Sequence, residues 1–414
     1  MTTRPSAMES IKPAARRMRA LVTTLVCVAS MALASSALAG DVERARRIHD
    51  RLVGVPPTPE RLAEMIRLMN DETVEAAALY ALEHRAFYGT TLKNWATPWT
   101  NEEMTVFAPL NDFTALVIGM IRDDIGFNEI LSIDRMYHAA NGVVSNGYSP
   151  SNNLHYEQLE ANRVDLSDDQ LFVWTEQSQM PGSQLSSADA AGVITSRAAG
   201  KAFFSGGTNR AMTRFTFMNF MCRDMEAMHD TTLSSDRIRQ DVTRSPGGDS
   251  SIFLNSCIGC HTGMDPMTGA FAYFEWVPGD EDDPDDTGRV IHTPGQVQEK
   301  FLINANTFPA GYVTIDNRWD NYWRQGPHSV LGWPDTASGG YGPHTWGVEV
   351  GNSEAFATCQ VEKVFKQVCF RPDNSVGDRA AITTIAQDFM DEGYSMKKVF
   401  AQVAEYCTEA EALP

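Results

Sequence analysis

Basic residues are scarce in this chain: 34 Lys and Arg stand against 53 Asp and Glu, a formal net charge of −19. Such a surface repels a phosphate backbone, so no nucleic acid is expected as a partner, and charge would steer only a basic protein face. Long apolar runs are also lacking. The one sizeable stretch, Ala20–Ala34, has 15 residues, short of the roughly 20 that cross a bilayer. No later segment is long and apolar enough, so no integral membrane segment is expected in the mature chain. Internal repeats are absent, which excludes a fibrous or solenoid array. What remains is ordinary: 43% hydrophobic and 21% charged residues describe a globular chain rather than a disordered one. Its 414 residues are enough for two to three domains.

The apolar stretch is placed as an export signal would be. Arg16, Arg17 and Arg19 precede it, and Ser35–Ala39 follows with small residues at Ala37 and Ala39. A basic start, a short apolar run and an A-x-A end make a secretory signal peptide, with cleavage expected between Ala39 and Gly40. No Cys follows that point, so a lipid anchor is not expected. The residues around Arg16-Arg17 do not fit a twin-arginine signal, which leaves general export to a periplasmic or secreted location.

Helical patterns dominate the mature chain. Asp41–Val53 is charged and periodic. Thr58 precedes Pro59, a cap followed by a proline suited to the first helical position, and Leu62, Met65, Ile66 and Met69 then share one face. Asp71 is expected to cap the next helix, through Val74, Ala78, Leu82 and Phe87. Asn101 is expected to open another, through Phe107 to Ile121, whose segment Leu116–Ile121 is apolar on every side and reads as buried. A shorter periodic stretch covers Phe127–Ala140. From Asn141 to about Ser205 the chain turns irregular, with only Gln170–Thr175 reading as a strand. Helices are expected again over Arg210–Met228, Ala355–Phe370, Arg379–Met390 and Ser395–Tyr406. Between Val290 and Gly351 there is little periodicity.

The most specific feature is Cys257-Ile258-Gly259-Cys260-His261. C-x-x-C-H is the attachment signature of haem c: two thiols three positions apart each add to one vinyl group, and the adjoining imidazole takes the iron. The competing uses of C-x-x-C fit less well. A thioredoxin-like pair needs a strand leading into a helix within a βαβ pattern, and none is seen. A zinc site needs a second pair of ligands, and His292 stands alone. A plain disulfide leaves the His unexplained.

The stretch that follows, Thr262-Gly-Met-Asp-Pro-Met-Thr-Gly-Ala-Phe-Ala-Tyr-Phe-Glu275, resembles the planctomycete-type cytochrome c domains, exported and mostly uncharacterised proteins in which C-x-x-C-H leads into Met-Asp-Pro-x-Gly-x-Ala-Phe-x-x-Phe-Glu/Asp. One extra residue separates Pro266 from Gly269 here. Arg51–Glu60, Asn219–Asp224, Phe356–Phe365 and Gly393–Phe400 are similar as well, so the resemblance touches most of the mature chain. It implies a covalent haem on Cys257 and Cys260 with His261 on the iron, and it implies no particular reaction.

The sixth iron ligand is not signalled in the same way. Small cytochromes c commonly use a later Met, yet none stands between Met267 and Met390. Met264 is three residues from His261, a reach of about 10 Å at roughly 3.5 Å per residue, which hardly passes the haem edge. Met264 and Met267 are therefore expected to pack against the ring. His292, His328 and His344 are the downstream candidates, with Met390, Met396 and His229 behind them. Trp323, Trp333 and Trp346 are expected in the core or on the pocket wall. The acidic run Asp280–Asp286 has Pro294 where a calcium loop counted from Asp283 needs its Glu, so it reads as a solvated loop. Cys222, Cys359, Cys369 and Cys407 are expected to form two disulfides. Cys359 and Cys369 lie about 15 Å apart on one helix, too far to bridge, and Cys369–Cys407 across a helical hairpin is the favoured pair.

These readings describe a mainly α protein: a signal peptide (1–39), a helical N-terminal domain with an irregular connection (40–200), and a helical mono-haem cytochrome c-type domain with long irregular loops (201–414). The expected function is one-electron transfer with redox proteins that present a basic docking face. A haem enzyme of peroxidase or oxygenase type with an open distal site, or a haem-based ligand sensor, is the alternative.

Overall fold

The computed structural model describes residues 40–280, 287–302, 306 and 308–410. The signal segment and the acidic run from 281 to 286 lie outside them. The protein is mainly helical, 54% by residue, with only short antiparallel strand pairs. Among the described residues no helix is long and apolar enough to cross a membrane.

Helices α1 (40–53), α2 (Pro59–Asp71), α3 (Val74–Leu82), α4 (Lys93–Ala96) and α5 (Asp112–Arg122) come first. Thr58 caps α2 by accepting from the Arg61 amide, as its place before Pro59 predicts. The cap of α3 is Thr73 rather than Asp71, because α2 itself continues through Asp71 and Thr73 is the extended residue whose hydroxyl accepts from Ala76 N. The helix expected from Asn101 begins eleven residues later, at Asp112. The Asn101 side chain instead closes a loop, accepting from Thr105 N and donating to the Thr97 and Thr105 carbonyls. Pro109 disfavours a helical backbone at the residue before it, and Asn111 supplies the cap. Every residue of α5 is buried, as the apolar run Leu116–Ile121 requires.

Phe127–Ala140 is not a helix. A 3-10 turn, Phe127–Leu131, leads into strand β1 (Met136–Ala139), which pairs with β2 (Phe172–Thr175), Met136 opposite Thr175. Periodicity over so short a stretch loses to this pairing, which buries Met136, Tyr137 and Ala139. Helices α6 (Leu154–Ala161) and α7 (Arg197–Phe203) precede α8 (Arg210–Phe220). The last stops short of the expected Met228, because Cys222 takes a left-handed backbone at φ 53° and bonds to Cys359.

Next come α9 (Ser250–Ile252) and α10 (Ile258–Thr268), then the hairpin of β3 (Phe274–Pro278) with β4 (Gly288–His292). Strands β5 (Arg318–Asp320) and β6 (Gly339–Tyr341) form a third pair. They are followed by α11 (Gly342–Gly351), α12 (Glu354–Cys369), α13 (Val376–Asp391) and α14 (Met396–Ala410). The last three match their sequence patterns closely. Helix α11 has no such pattern, since glycines and a proline interrupt it, and packing on Phe127–Leu131 holds it in place.

One hydrophobic core runs from Ala45 to Cys407 without a break at 200/201: α14 packs on α3 as well as on α12 and α13, and α11 packs on Phe127–Leu131. Disulfides join Cys222 to Cys359 and Cys369 to Cys407, the second being the pair favoured from sequence.

A buried histidine gives the N-terminal helices a pH signature. His49 on α1 is fully buried, donates from Nδ1 to the Val55 carbonyl at 2.9 Å, and meets the His84 ring edge to face. Burial, aided by the nearby His84 and Arg61 and opposed by the Val55 carbonyl, lowers its pKa to about 4. The unfolded chain, with an ordinary histidine pKa near 6.5, takes up the proton first. The stabilisation is therefore complete above about pH 6.5 and is lost as pH falls towards 4, a change on the order of 3 kcal/mol. His49→Gln is expected to flatten stability between pH 7 and 4.5 in urea unfolding. An unchanged slope would exclude His49 as its source.

Candidate functional site

The C-x-x-C-H motif lies within one continuous helical run. It begins at α9, whose first turn Asp249 caps by accepting from Ser251 N, passes through a π-helical turn (Phe253–Cys257), and continues as α10. Cys257, His261 and Asp265 recur every four residues and share a face, with Cys260 beside them. Cys257 packs on a small cluster of Ile238, Val242 and Phe253, while Cys260 packs on the main core, its thiol 3.4 Å from the Met225 carbonyl. Both are free thiols and both are partly exposed. Burial foremost, then the charges of Cys257, Glu226 and Asp224, pushes the Cys260 thiol up. A thiol held protonated in the interior of a helix is the reverse of a thioredoxin-type nucleophile, which gains its thiolate at a helix N-terminus.

His261 is fixed by what lies below it. Its Nδ1–H donates to Asp265 Oδ1 at 3.0 Å, and Nε2 has no hydrogen bond to a described residue. The Asp265 side chain is wholly buried. Arg210 donates to it from Nε at 2.7 Å and from Nη2 at 3.2 Å, and the backbone N–H of Arg239 adds a bond at 3.1 Å. Arg210 also grips Asp241 with both terminal nitrogens, at 2.9 and 3.0 Å, and Thr208 Oγ1 accepts from Arg210 and Arg239. Burial alone would raise the Asp265 pKa, but Arg210, Arg239 and His261 outweigh it and hold the carboxyl well below the usual range. Burial, with the Arg210 charge, lowers Arg239 to about 10, which still leaves it cationic at neutral pH.

The opposite face of α10 is packed shut. A side chain at Gly259 would run into the His229 ring at 2.4 Å, and one at Gly263 into the Trp323 ring at 2.1 Å. Residues two apart on an α-helix point about 200° apart, so His229 lies across the helix from His261. Trp323 is fully buried, donates to the Met228 carbonyl and meets the Phe217 ring, and its own carbonyl accepts from the Trp333 indole. Trp346 is also in the core. Met264 and Met267 are buried in the same core.

Two of the three distal candidates, His292 and His344, have their imidazoles held by other partners. His292 ends β4, stacks on Phe274, and has Gln184 and Asp189 beside it; burial lowers its pKa. His344 on α11 donates to the Ala190 carbonyl. His328 lies in the 3-10 turn Gly326–Leu331, its carbonyl accepting from Trp333 and its Nε2 buried without a partner among the described residues. None of these contacts places a candidate beside His261. Clefts of about 440 Å³ beside His84 and about 500 Å³ beside Arg197 have no lining residue from the motif.

The side chains that sequence reasoning missed are Asp265, Arg210, Arg239 and Asp241. An Asp four residues after a helical His was a usable signal for the first. The other three arrive from 24 to 55 residues away in sequence and carried none.

Among the described residues no group of three or more His, Cys, Asp and Glu is gathered to hold a metal ion. Thioether attachment does not require the two sulfurs and the imidazole to converge on one point. The donor set is of the kind such attachment uses: neither thiol is in a disulfide, Nε2 of His261 has no hydrogen bond to a described residue, and the apolar Ile252 and Leu254 stand 45% and 57% exposed on the turn before Cys257. Comparison with family models, curated proteins and solved structures gives no match for this chain.

Proposed function

We propose that this chain is an exported mono-haem c-type cytochrome that passes single electrons between proteins, related to the planctomycete-type cytochrome c domains that residues 257–275 resemble. The observation that carries the proposal is the pair of free thiols one helical turn apart beside a histidine whose Nδ1 is tied to a buried carboxylate. Cys257 and Cys260 would hold the porphyrin through thioether bonds, and His261 would present Nε2 to the iron. Haem bound there supplies a ferric–ferrous couple. Asp265 fixes the His261 tautomer and ring direction, the role an outer carboxylate plays at metal-bound histidines. The signal-like N-terminus supports export, and the two disulfides suit an oxidising compartment.

An open distal position, with peroxide or oxygen chemistry or ligand sensing, is the second reading. It draws support from the His292 and His344 imidazoles, which are engaged away from His261. Optical spectra of protein matured with a haem-attachment system, together with a pyridine haemochrome of the denatured protein, separate the readings. Covalent haem that is six-coordinate and low-spin in both oxidation states is the expected result. A high-spin spectrum that shifts with carbon monoxide or peroxide would move the assignment to an open site. No covalent haem would overturn both. With a net charge of −19, binding to a basic redox partner is expected to weaken steadily with added salt.

A further inference from the structure

We infer that Arg210 is a positioning residue that sets the donor strength of His261 towards the iron by competing for the carboxylate of Asp265. The inference rests on the haem reading above and assigns a role to side chains outside the motif. A carboxylate that accepts from a ligand imidazole draws its N–H proton and makes the other nitrogen a stronger donor, which favours ferric iron. Here the acceptor is not left to His261 alone. Arg210 donates to both oxygens of Asp265, and one of those bonds, at 2.7 Å, falls on the same Oδ1 that takes the His261 proton. The second oxygen is further occupied by the Arg239 amide.

Arg210 is itself shared, since Asp241 holds its other face through two bonds. The cluster of Asp265, Asp241, Arg210 and Arg239 is thus charge-balanced and largely buried, with side-chain exposures of 0%, 6%, 22% and 2%. In so poorly solvated a place, removing one member leaves a charge that solvent does not cancel. Loss of Arg210 would free Asp265 to draw more strongly on the His261 proton. Loss of the Asp241 charge would release Arg210 to bind Asp265 more fully. The two changes therefore push the iron in opposite directions, which a general loosening of the fold would not do.

The test is the midpoint potential of the haem protein and its variants by mediated titration, after a pyridine haemochrome has established covalent haem. Arg210→Gln is expected to shift the ferric/ferrous equilibrium about tenfold towards ferric, about 59 mV for one electron. Asp241→Asn is expected to shift it severalfold towards ferrous. Arg210→Lys, which keeps the charge without the fork, should fall between wild type and Arg210→Gln. If Arg210→Gln does not fold, the sign of the Asp241→Asn shift decides. Covalent haem with unmoved potentials, or with both variants moving the same way, overturns the inference and leaves the haem reading standing. Absence of covalent haem in the wild type overturns the haem reading and the inference with it.

Discussion

Replacing both Cys257 and Cys260 by Ser is expected to abolish covalent haem completely, so that acid–organic extraction leaves no haem absorbance with the protein. Each single variant should retain one thioether and give a haemochrome band shifted towards that of a free vinyl group. The expectation follows from the cysteine inventory: Cys27 lies in the expected signal segment, Cys222, Cys359, Cys369 and Cys407 are consumed in two disulfides, and among the described residues 257 and 260 are the two left free. Neither free thiol cross-links the fold, and Ser differs from Cys by one atom, so the protein portion should remain folded. A double variant that still carries haem through denaturation would refute the attachment sites. A colourless wild type whose double variant is also colourless but less stable would point instead to a structural role for the pair.

The second large effect is on stability. Cys222–Cys359 closes a sequence separation of 137 residues and Cys369–Cys407 one of 38. The loop-entropy relation assigns about 5 kcal/mol to the first and about 4 kcal/mol to the second, upper values that native strain reduces. For a protein whose whole stability is of the order of 5–15 kcal/mol, either loss is severe. The longer link also ties the end of α8 to α12, where Lys363 Nζ donates to the Asn219 carbonyl, and Gln360 to that of Phe220. Cys222→Ala/Cys359→Ala is therefore expected to lower the denaturant midpoint more than Cys369→Ala/Cys407→Ala. The reverse order in guanidinium unfolding would show that chain entropy is not what these links control.

The helices closing the chain were legible because their information is local. Apolar residues recur at helical spacing along them, whereas the Ser353 cap and the Ser375–Asp378 capping box were not read, so that α13 begins at Val376 rather than at the expected Arg379. The same local rule misplaced Asn101, an equally good capping residue, because its side chain is taken up by the loop it closes. It also hid α11, whose Gly342, Pro343, Gly347 and Gly351 carry no apolar stripe. Cys359 and Cys369 were excluded as partners by helical rise alone, a local argument. Which distant cysteine each would meet depended on how α8, α12 and α14 pack.

The candidate site divides along the same line. The sequence by itself determined the two thiols, the adjoining imidazole and their spacing, since all lie within five consecutive residues and no fold is needed to bring them together. It also determined the acidic charge and the signal-like N-terminus that frame the proposal. Only the tertiary structure decided what stands around the imidazole. The bond from His261 to Asp265 is one helical turn long, but the arginines that hold Asp265 come from α8 and from the segment after it, and His229 and Trp323 close the opposite face. Contacts of that kind are set by which surfaces of separate elements are buried against each other. One residue's spacing from the next does not encode them.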